Sequence, residues 1–274
     1  MVYNVTTWEQ FERAFTSSHD ISDPDEDVIE ILADIDLNDV AISNPLYAGA
    51  KKTINGNSHT IYNLKDGKNN RNYIISCGEG TSAHPYYVIT WNKLNFDNLF
   101  AVLNTTWVFG GAPSYNMEFN DCTFVATCKE LFRYAILNRC AVTFNTITTN
   151  DTPFEYVTSN FCWFHVTIRK TATTNTSSMF NPLNTCYVEG KILCPAPKTG
   201  PIGQLTNCCI NIECDATMTK LSSSSNTPIS VYNNEKIPTV TTADVKSVGC
   251  TDAQLKDANY LASIGFAIIA QAGE

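Results

Sequence analysis

The side chains able to do chemistry in this chain are carboxylates in short runs, one basic step, four histidines and a group of aromatic rings. Asp34, Asp36 and Asp39 fall close together, and Asp97 and Asp121 recur near the interval of an internal repeat. Paired carboxylates about 5–9.5 Å apart are what glycoside hydrolysis requires. The competing reading of Asp34, Asp36 and Asp39 is turn carboxylates at strand ends, and it is the one adopted; Asp97 and Asp121 share no clear phase. Arg169-Lys170 could abstract or stabilise a proton in a lyase, yet no calcium-binding acidic partner stands nearby, so the step reads as a solvated strand end. Asp23-x-Asp25-x-Asp27 has the first half of a calcium loop, but Val28 stands where the loop needs glycine and no glutamate closes it. It is read as an exposed acidic turn. His165 lies on the strand face opposite Cys162, Phe164 and Val166, an exterior position without a metal. His19, His59, His84 and His165 do not cluster with cysteines and no CxxC pair occurs, which leaves zinc unsupported. Nucleophile triads, phosphate-binding glycine loops and dinucleotide fingerprints are missing from the sequence. No catalytic residue, cofactor or metal is assigned.

The aromatic rings are the remaining site candidates. Tyr86, Tyr87, Trp91, Trp107 and Tyr115 cluster around the longest projecting loops. Exposed rings of this kind stack on sugar rings, whereas buried ones anchor loops. Exposure decides between the two.

The elements that must position these side chains are set by a repeat. Asn120-Asp-Cys122, Asn138-Arg-Cys140, Asn160-Phe-Cys162, Asn184-Thr-Cys186 and Thr206-Asn-Cys208 place five cysteines 18, 22, 24 and 22 residues apart. Each opens an alternating apolar run such as Cys162, Phe164, Val166 and Ile168. One alternating strand per unit of this length predicts stacked units, and a small inward residue at its start predicts a parallel β-helix. In such a stack Cys recurs on Cys as a small hydrophobe, and Asn two residues earlier tolerates a left-handed corner and bonds its counterpart one turn away. Leu94 in Asn92-Lys-Leu94 fits the same frame at 28 residues. A weaker ladder, Leu99-Phe100, Leu131-Phe132, Phe154, Met179-Phe180, Ile202 and Ile229, predicts another strand of each turn.

Residues 7–18 read as a helix with a Thr7-x-x-Gln10 capping box and Trp8, Phe11 and Phe15 on one face. It is placed as a lid over the first turn, where an open β-helix would expose strand edges and core. Val28-Ile-Glu-Ile-Leu with Ile35 and Leu37 forms early strands, and 53–64 is a strand pair around Asn55-Gly56. Segments 65–72, 78–85 and 222–226 read as projecting loops. Thr251-x-x-Gln254 is a second capping box before a helix ending at Gly265, and Phe266-Ala-Ile-Ile269 returns as a strand. The expected organisation is therefore 1–50 as N-terminal cap and first strands, 51–235 as β-helix, and 236–274 as C-terminal cap or docking segment. The expected fold class is all-β: a right-handed single-stranded parallel β-helix with an N-terminal helical cap and a C-terminal helix-strand cap.

Composition narrows the function classes. A net charge of -9 from 18 basic and 27 acidic residues opposes docking to nucleic acid or anionic lipid, which needs a basic face. No stretch approaches the roughly 20 apolar residues of a membrane span, so no membrane insertion is expected. Eleven cysteines, five of them at ladder spacing, with no basic leader or apolar core at Met1-Val-Tyr-Asn, are expected as reduced thiols in a reducing cytoplasm.

The opening Val5-Thr-Thr-Trp-Glu-Gln-Phe-Glu-Arg-Ala-Phe15, the strand Ile29-Glu-Ile-Leu-Ala-Asp-Ile-Asp-Leu-Asn38, the turn Thr53-Ile-Asn-Gly-Asn-Ser-His-Thr-Ile61 and the Asn-x-Cys units carry a resemblance. So does the closing Thr251-Asp-Ala-Gln-Leu-Lys-Asp-Ala-Asn-Tyr-Leu-Ala-Ser-Ile-Gly-Phe266. The chain resembles the pectate-lyase-like parallel β-helix proteins of tailed bacteriophages of gut and Gram-positive bacteria. The resemblance implies a virion structural protein made in the host bacterial cytoplasm: a tail appendage, fibre or capsid-surface decoration, commonly a homotrimer. Its implied partners are other virion proteins and host surface glycans. The alternatives are a polysaccharide lyase or hydrolase on the same scaffold and a host-encoded cell-surface adhesin.

Overall fold

A computed structural model describes residues 1–18, 26–38, 41–42, 44–67, 73–82, 85–101, 107–115, 117–145, 153–169, 182–193, 205–206, 208–214, 231–234, 247–251, 253–254 and 257–263. The chain divides into two compact units, Met1–Asn138 and Arg139–Glu274. Both are built mainly from short parallel strands in curled sheets.

In the first unit Val2–Val5, Asp27–Ile31, Lys52–Asn55, Ile89–Asn92 and Met117–Asn120 lie side by side, with Ala135–Asn138 as the next neighbour. A second row pairs Ile35–Asp36, Thr60–Tyr62, Asn95–Asp97 and then Thr123–Phe124. A third sets Ala41–Ile42 beside Lys65–Asp66, and a fourth aligns Leu46–Tyr47, Tyr73–Ser76, Trp107–Gly110 and Glu130–Arg133. The long strand Glu130–Asn138 passes from the fourth row to the first, which joins them into one curled sheet.

Identical phase on successive layers stacks like on like. Trp91 is in register with Phe119, Phe96 with Phe124 and Phe109 with Phe132, and each pair is stacked with ring centroids 5.2–5.7 Å apart. The three pairs meet edge to face, as in Phe96–Phe109 and Phe124–Phe132 at 5.0 Å. This geometry suits the aromatic quadrupole.

The Asn positions form a polar ladder of fixed direction. Asn138 donates to Asn120, Asn120 to Asn92, and Asn92 to Asn55, at 2.9–3.1 Å between Nδ2 and Oδ1; Asn55 then donates to Glu30. A second, exposed ladder runs from Asn98 to Asn63 to Asp36. Both terminate on a carboxylate of the first layer, the acceptor that the last amide needs. In the first ladder the left-handed residue is the one after the Asn, namely Lys93 and Asp121 in this unit, and not the Asn itself as expected from the sequence. Asn63 and Asn98 of the second ladder are themselves left-handed.

The expected N-terminal lid is helix α1, Trp8–Thr16. Thr7 Oγ1 accepts from the Gln10 amide at 3.3 Å, and Gln10 Oε1 reaches back to the Thr6 amide at 2.8 Å. Phe11 and Phe15 are fully buried and reach Trp91 at 5.9 and 6.0 Å between centroids. Beneath the helix C-terminus lies Lys52, wholly inaccessible to solvent. Its three ammonium donors meet Asp27 at 2.5 Å, the Ser17 carbonyl at 2.9 Å and the Ser17 hydroxyl at 2.8 Å. Burial lowers the Lys52 pKa, and Asp27 opposes that shift.

In the second unit Ala141–Asn145, Trp163–Arg169, Tyr187–Leu193, Cys209–Cys214, Val231–Asn234 and Ser247–Cys250 pair in parallel order. Phe154–Asn160, Leu183–Asn184 and Leu205–Thr206 form a second row. The Asn ladder recurs, Asn184 donating to Asn160 at 2.8 Å, and Arg139, Phe161 and Thr185 hold the left-handed corner. Thr251 and Gln254 make the predicted capping box, but helix α2, Ala258–Ser263, starts after a separate cap, Asp257, whose Oδ1 accepts from the Asn259 amide at 2.8 Å. The expected strand 266–269 lies outside the described residues.

Sulfur does more in this scaffold than fill space. Cys122, Cys162 and Cys186 each place Sγ 3.3–3.4 Å from the carbonyl of the Asn two residues earlier, closing the corner. The amides of Cys140 and Cys162 donate to the next sulfur in the column at 3.4 Å. All seven cysteines with described side chains, including Cys77 and Cys128, are buried and free of disulfides. Burial pushes the Cys77 thiol up to about 12 and raises Cys128 and Cys162 as well. Because all seven are buried away from solvent, they should resist alkylation by iodoacetamide at pH 8 in the native protein and react on unfolding. Peptide mapping by mass spectrometry checks this, and rapid native labelling of Cys122 or Cys162 would contradict it.

Paired strands start at Val2, within the segment expected to hold the cap and first strands. Two expectations change. Lys65–Asp66 is a strand, not the start of a loop, because it pairs with Ala41–Ile42 and buries Asp66. Leu99-Phe100 and Leu131-Phe132 do not share a column: Leu99 and Phe100 are in register with Ala126 and Thr127, and Phe132 with Phe109. The Met179-Phe180, Ile202, Ile229 and 222–226 expectations lie outside the described residues.

Candidate functional site: an aromatic and arginine face on the first unit

The fourth row of the first unit and the loops that follow its strands gather most of the described aromatic side chains of this unit that remain accessible. Tyr73 and Trp107 are adjacent in register with ring centroids 6.0 Å apart, and Glu130 follows them in the column. Arg133 lays its guanidinium over the Trp107 ring at 4.6 Å and near the Tyr134 ring at 5.3 Å, and it donates to the Tyr73 hydroxyl at 3.1 Å. Cation–π contacts of this type contribute about 0.5–2 kcal/mol and hold the planar groups in fixed orientation. Gly110 makes the arrangement possible, since a Cβ there would lie 1.9 Å from Tyr73 Cδ1. Burial raises the Tyr73 phenol pKa against the pull of Arg133. Burial, Glu79 and the phenols of Tyr73 and Tyr86 together raise Tyr47.

Two loops extend this face. Ser76 donates from its hydroxyl to the Gly78 carbonyl at 2.7 Å and lies 3.2 Å from the Gly110 carbonyl, tying the two loop bases together. Tyr86 and Tyr115 are exposed, and their rings stand 5.8 Å apart. Tyr115 is fixed by a two-residue bridge to Ala112, with paired hydrogen bonds of 2.9 and 3.0 Å. Tyr87 is half-buried and bonds Cys77 through its backbone at 2.9 Å.

Of the five candidate ring residues, the structure brings Tyr86 and Tyr115 together and sets Trp107 in the Arg133 stack. Trp91 is corrected: it is fully buried and packs on Phe11, Phe15, Phe96 and Phe119, so no ligand reaches it. Sequence reasoning missed Tyr47, Tyr73, Arg133 and Tyr134. Their spacing varies because loops of different length intervene, which left no repeat to read.

The described carboxylates of the first strands serve the stack. Asp34 accepts from the Thr60 amide at 2.9 Å and lies 3.2 Å from His59 Nδ1. Asp36 accepts from Asn63 at 2.6 Å and from the Asn38 amide at 2.8 Å, and these bonds lower its pKa. Glu26 accepts from Thr53, and Asp27 is the Lys52 partner, which is a buried role and not an exposed turn. Asp121 occupies a left-handed corner, whereas Asp97 lies in a strand opposite Tyr62. Asp23, Asp25, Asp39 and Lys170 lie outside the described residues; Arg169 is exposed at a strand end. Among the described residues no group of His, Cys, Asp or Glu is arranged to hold a metal ion, and no helix is long and apolar enough to cross a membrane.

Gly110→Ala tests the face locally. The added methyl must turn the Tyr73 ring aside, with an expected loss of about 1–3 kcal/mol, the usual range for overpacking. Urea unfolding measures it, and a change below about 0.3 kcal/mol would contradict the packing described.

Comparison of the chain with protein-family models, with curated proteins and with solved structures yields no match in any of the three.

Proposed function

We propose that the chain is a right-handed parallel β-helix acting as a virion structural protein of a tailed bacteriophage, in a tail appendage, fibre or capsid-surface decoration. It presents its aromatic face to host surface glycans. The observation that carries the glycan role is the set Tyr73, Trp107, Arg133, Tyr86 and Tyr115 on one row and its loops. Planar rings held by a guanidinium and by backbone bonds lose little entropy on binding, which favours sugar stacking over loop anchoring. The Asn-x-Cys corners and the parallel register support a parallel β scaffold, and the virion role rests on the resemblance of the sequence motifs. Repeated copies on a particle would add weak contacts through multivalency. Engagement of the acidic residues as ladder acceptors favours binding over cleavage.

Immobilised bacterial surface polysaccharides provide the test. The protein displayed multivalently on streptavidin beads should retain at least one of them, and Tyr86→Ala/Tyr115→Ala should weaken retention about tenfold, the effect of losing about 1.4 kcal/mol per site. Equal retention of the variant would remove this face from recognition.

A further inference from the structure

The second unit carries an independent group of outward side chains. Trp163 and Tyr187 are in register on neighbouring strands, with Ala141 before them and Cys209 after them in the same column. Two residues along each strand stand His165 and Glu189, also in register. His165 Nδ1 lies 3.1 Å from Glu189 Oε1, and the Tyr187 hydroxyl donates to Glu189 Oε2 at 3.3 Å. The Trp163 and His165 ring centroids are 6.0 Å apart. His165 is half exposed; Trp163, Tyr187 and Glu189 are partly so. Ala141, beside Trp163, leaves that end of the column low.

We propose that Trp163, His165, Tyr187 and Glu189 form a saccharide-binding patch for uncharged sugars. The argument is one of complementarity. A pyranose has an apolar C–H face and a rim of hydroxyls; the indole and phenol rings suit the former. The carboxylate, oriented by two neighbours, retains lone pairs for the latter. A partly exposed carboxylate at the rim repels an anionic sugar, although Lys191 lies two residues beyond Glu189 and makes acidic ligands the necessary control. The patch deepens the glycan reading given above but uses different residues, so the two can fail separately.

The experiment uses the full chain labelled with 15N at tryptophan, which gives indole resonances for Trp8, Trp91, Trp107 and Trp163. Trp163→Phe assigns the reporter of this patch, and Trp107→Phe that of the first unit's face. The probes are maltohexaose, cellohexaose and chitohexaose as neutral ligands and hexagalacturonate as the acidic one. At least one neutral probe should shift the Trp163 resonance saturably, with Kd on the order of 1 mM. Glu189→Gln should weaken that binding about tenfold, as expected for a hydrogen bond to a charged acceptor. Unmoved Trp8 and Trp91 signals show that the variant is folded. No Trp163 shift with any neutral probe, an equal shift with hexagalacturonate, or an unchanged affinity in Glu189→Gln each overturns the proposal. Movement of Trp107 without Trp163 overturns it while sparing the first unit's role; movement of Trp163 without Trp107 supports it alone.

Discussion

Lys52→Met should destabilise the protein by about 3–5 kcal/mol, the usual cost of breaking a buried ion pair by removing one member. The ammonium is fully inaccessible and each of its donors is used, two on Ser17 and one on Asp27. Methionine fills the space but leaves Asp27 buried and the Ser17 carbonyl at the end of helix α1 without its donor. The Met1 amino group, 3.0 Å from Asp27 Oδ1, retains part of the carboxylate's compensation and keeps the loss within that range. Asp27→Leu/Lys52→Met should recover much of the stability, because it removes the uncompensated charge with its partner. Urea titration of the three proteins gives the answer. A single-variant loss below about 1 kcal/mol would mean that the pair is hydrated and that the helix is not seated on it.

Trp91→Ala should cost about 3–5 kcal/mol, as other large-to-small changes in packed cores do. The indole touches helix α1 through Phe11 and Phe15 and the aromatic stack through Phe96, Phe109 and Phe119. The cavity would therefore open where the cap meets the first unit's core. Trp91→Phe separates packing from polarity. The indole Nε1 is buried with no hydrogen-bond partner among the described residues, a penalty of about 1–3 kcal/mol that phenylalanine removes. The lost ring volume and the relieved donor then offset, and the variant should lie within about 1.5 kcal/mol of the parent. Near-equal losses for the two variants would contradict this account of the site.

The contrast between Trp91 and Trp107 shows what the sequence could and could not reveal. Ile89, Trp91 and Asn92 carry the parity of a buried strand followed by a ladder position, while the nearness of Trp91 to a long loop is the feature it shares with exposed rings. Its alternation was the better signal. The Asn-x-Cys units were legible because each repeats the same local requirement: a small buried sulfur, a left-handed corner and an amide that bonds its neighbour. The N-terminal cap was legible for a similar reason, since a capping box and a three-ring stripe are local. Lys52 and Asp27 were not, being 25 residues apart and joined only by register. Arg133 was hidden in the same way, because its partners Tyr73 and Trp107 come from layers separated by loops of unequal length. The carboxylate cluster of the first strands acquires its meaning only once the ladders are seen to end there.

The most direct test of the virion attachment role is cryo-electron microscopy of the particle produced from the genome that carries this reading frame. The account predicts density for the parallel-strand units on the tail or capsid surface, with Tyr86, Tyr115 and Trp107 turned to solvent. Particles that lack the chain altogether would contradict a virion role and return attention to a free glycan-active protein.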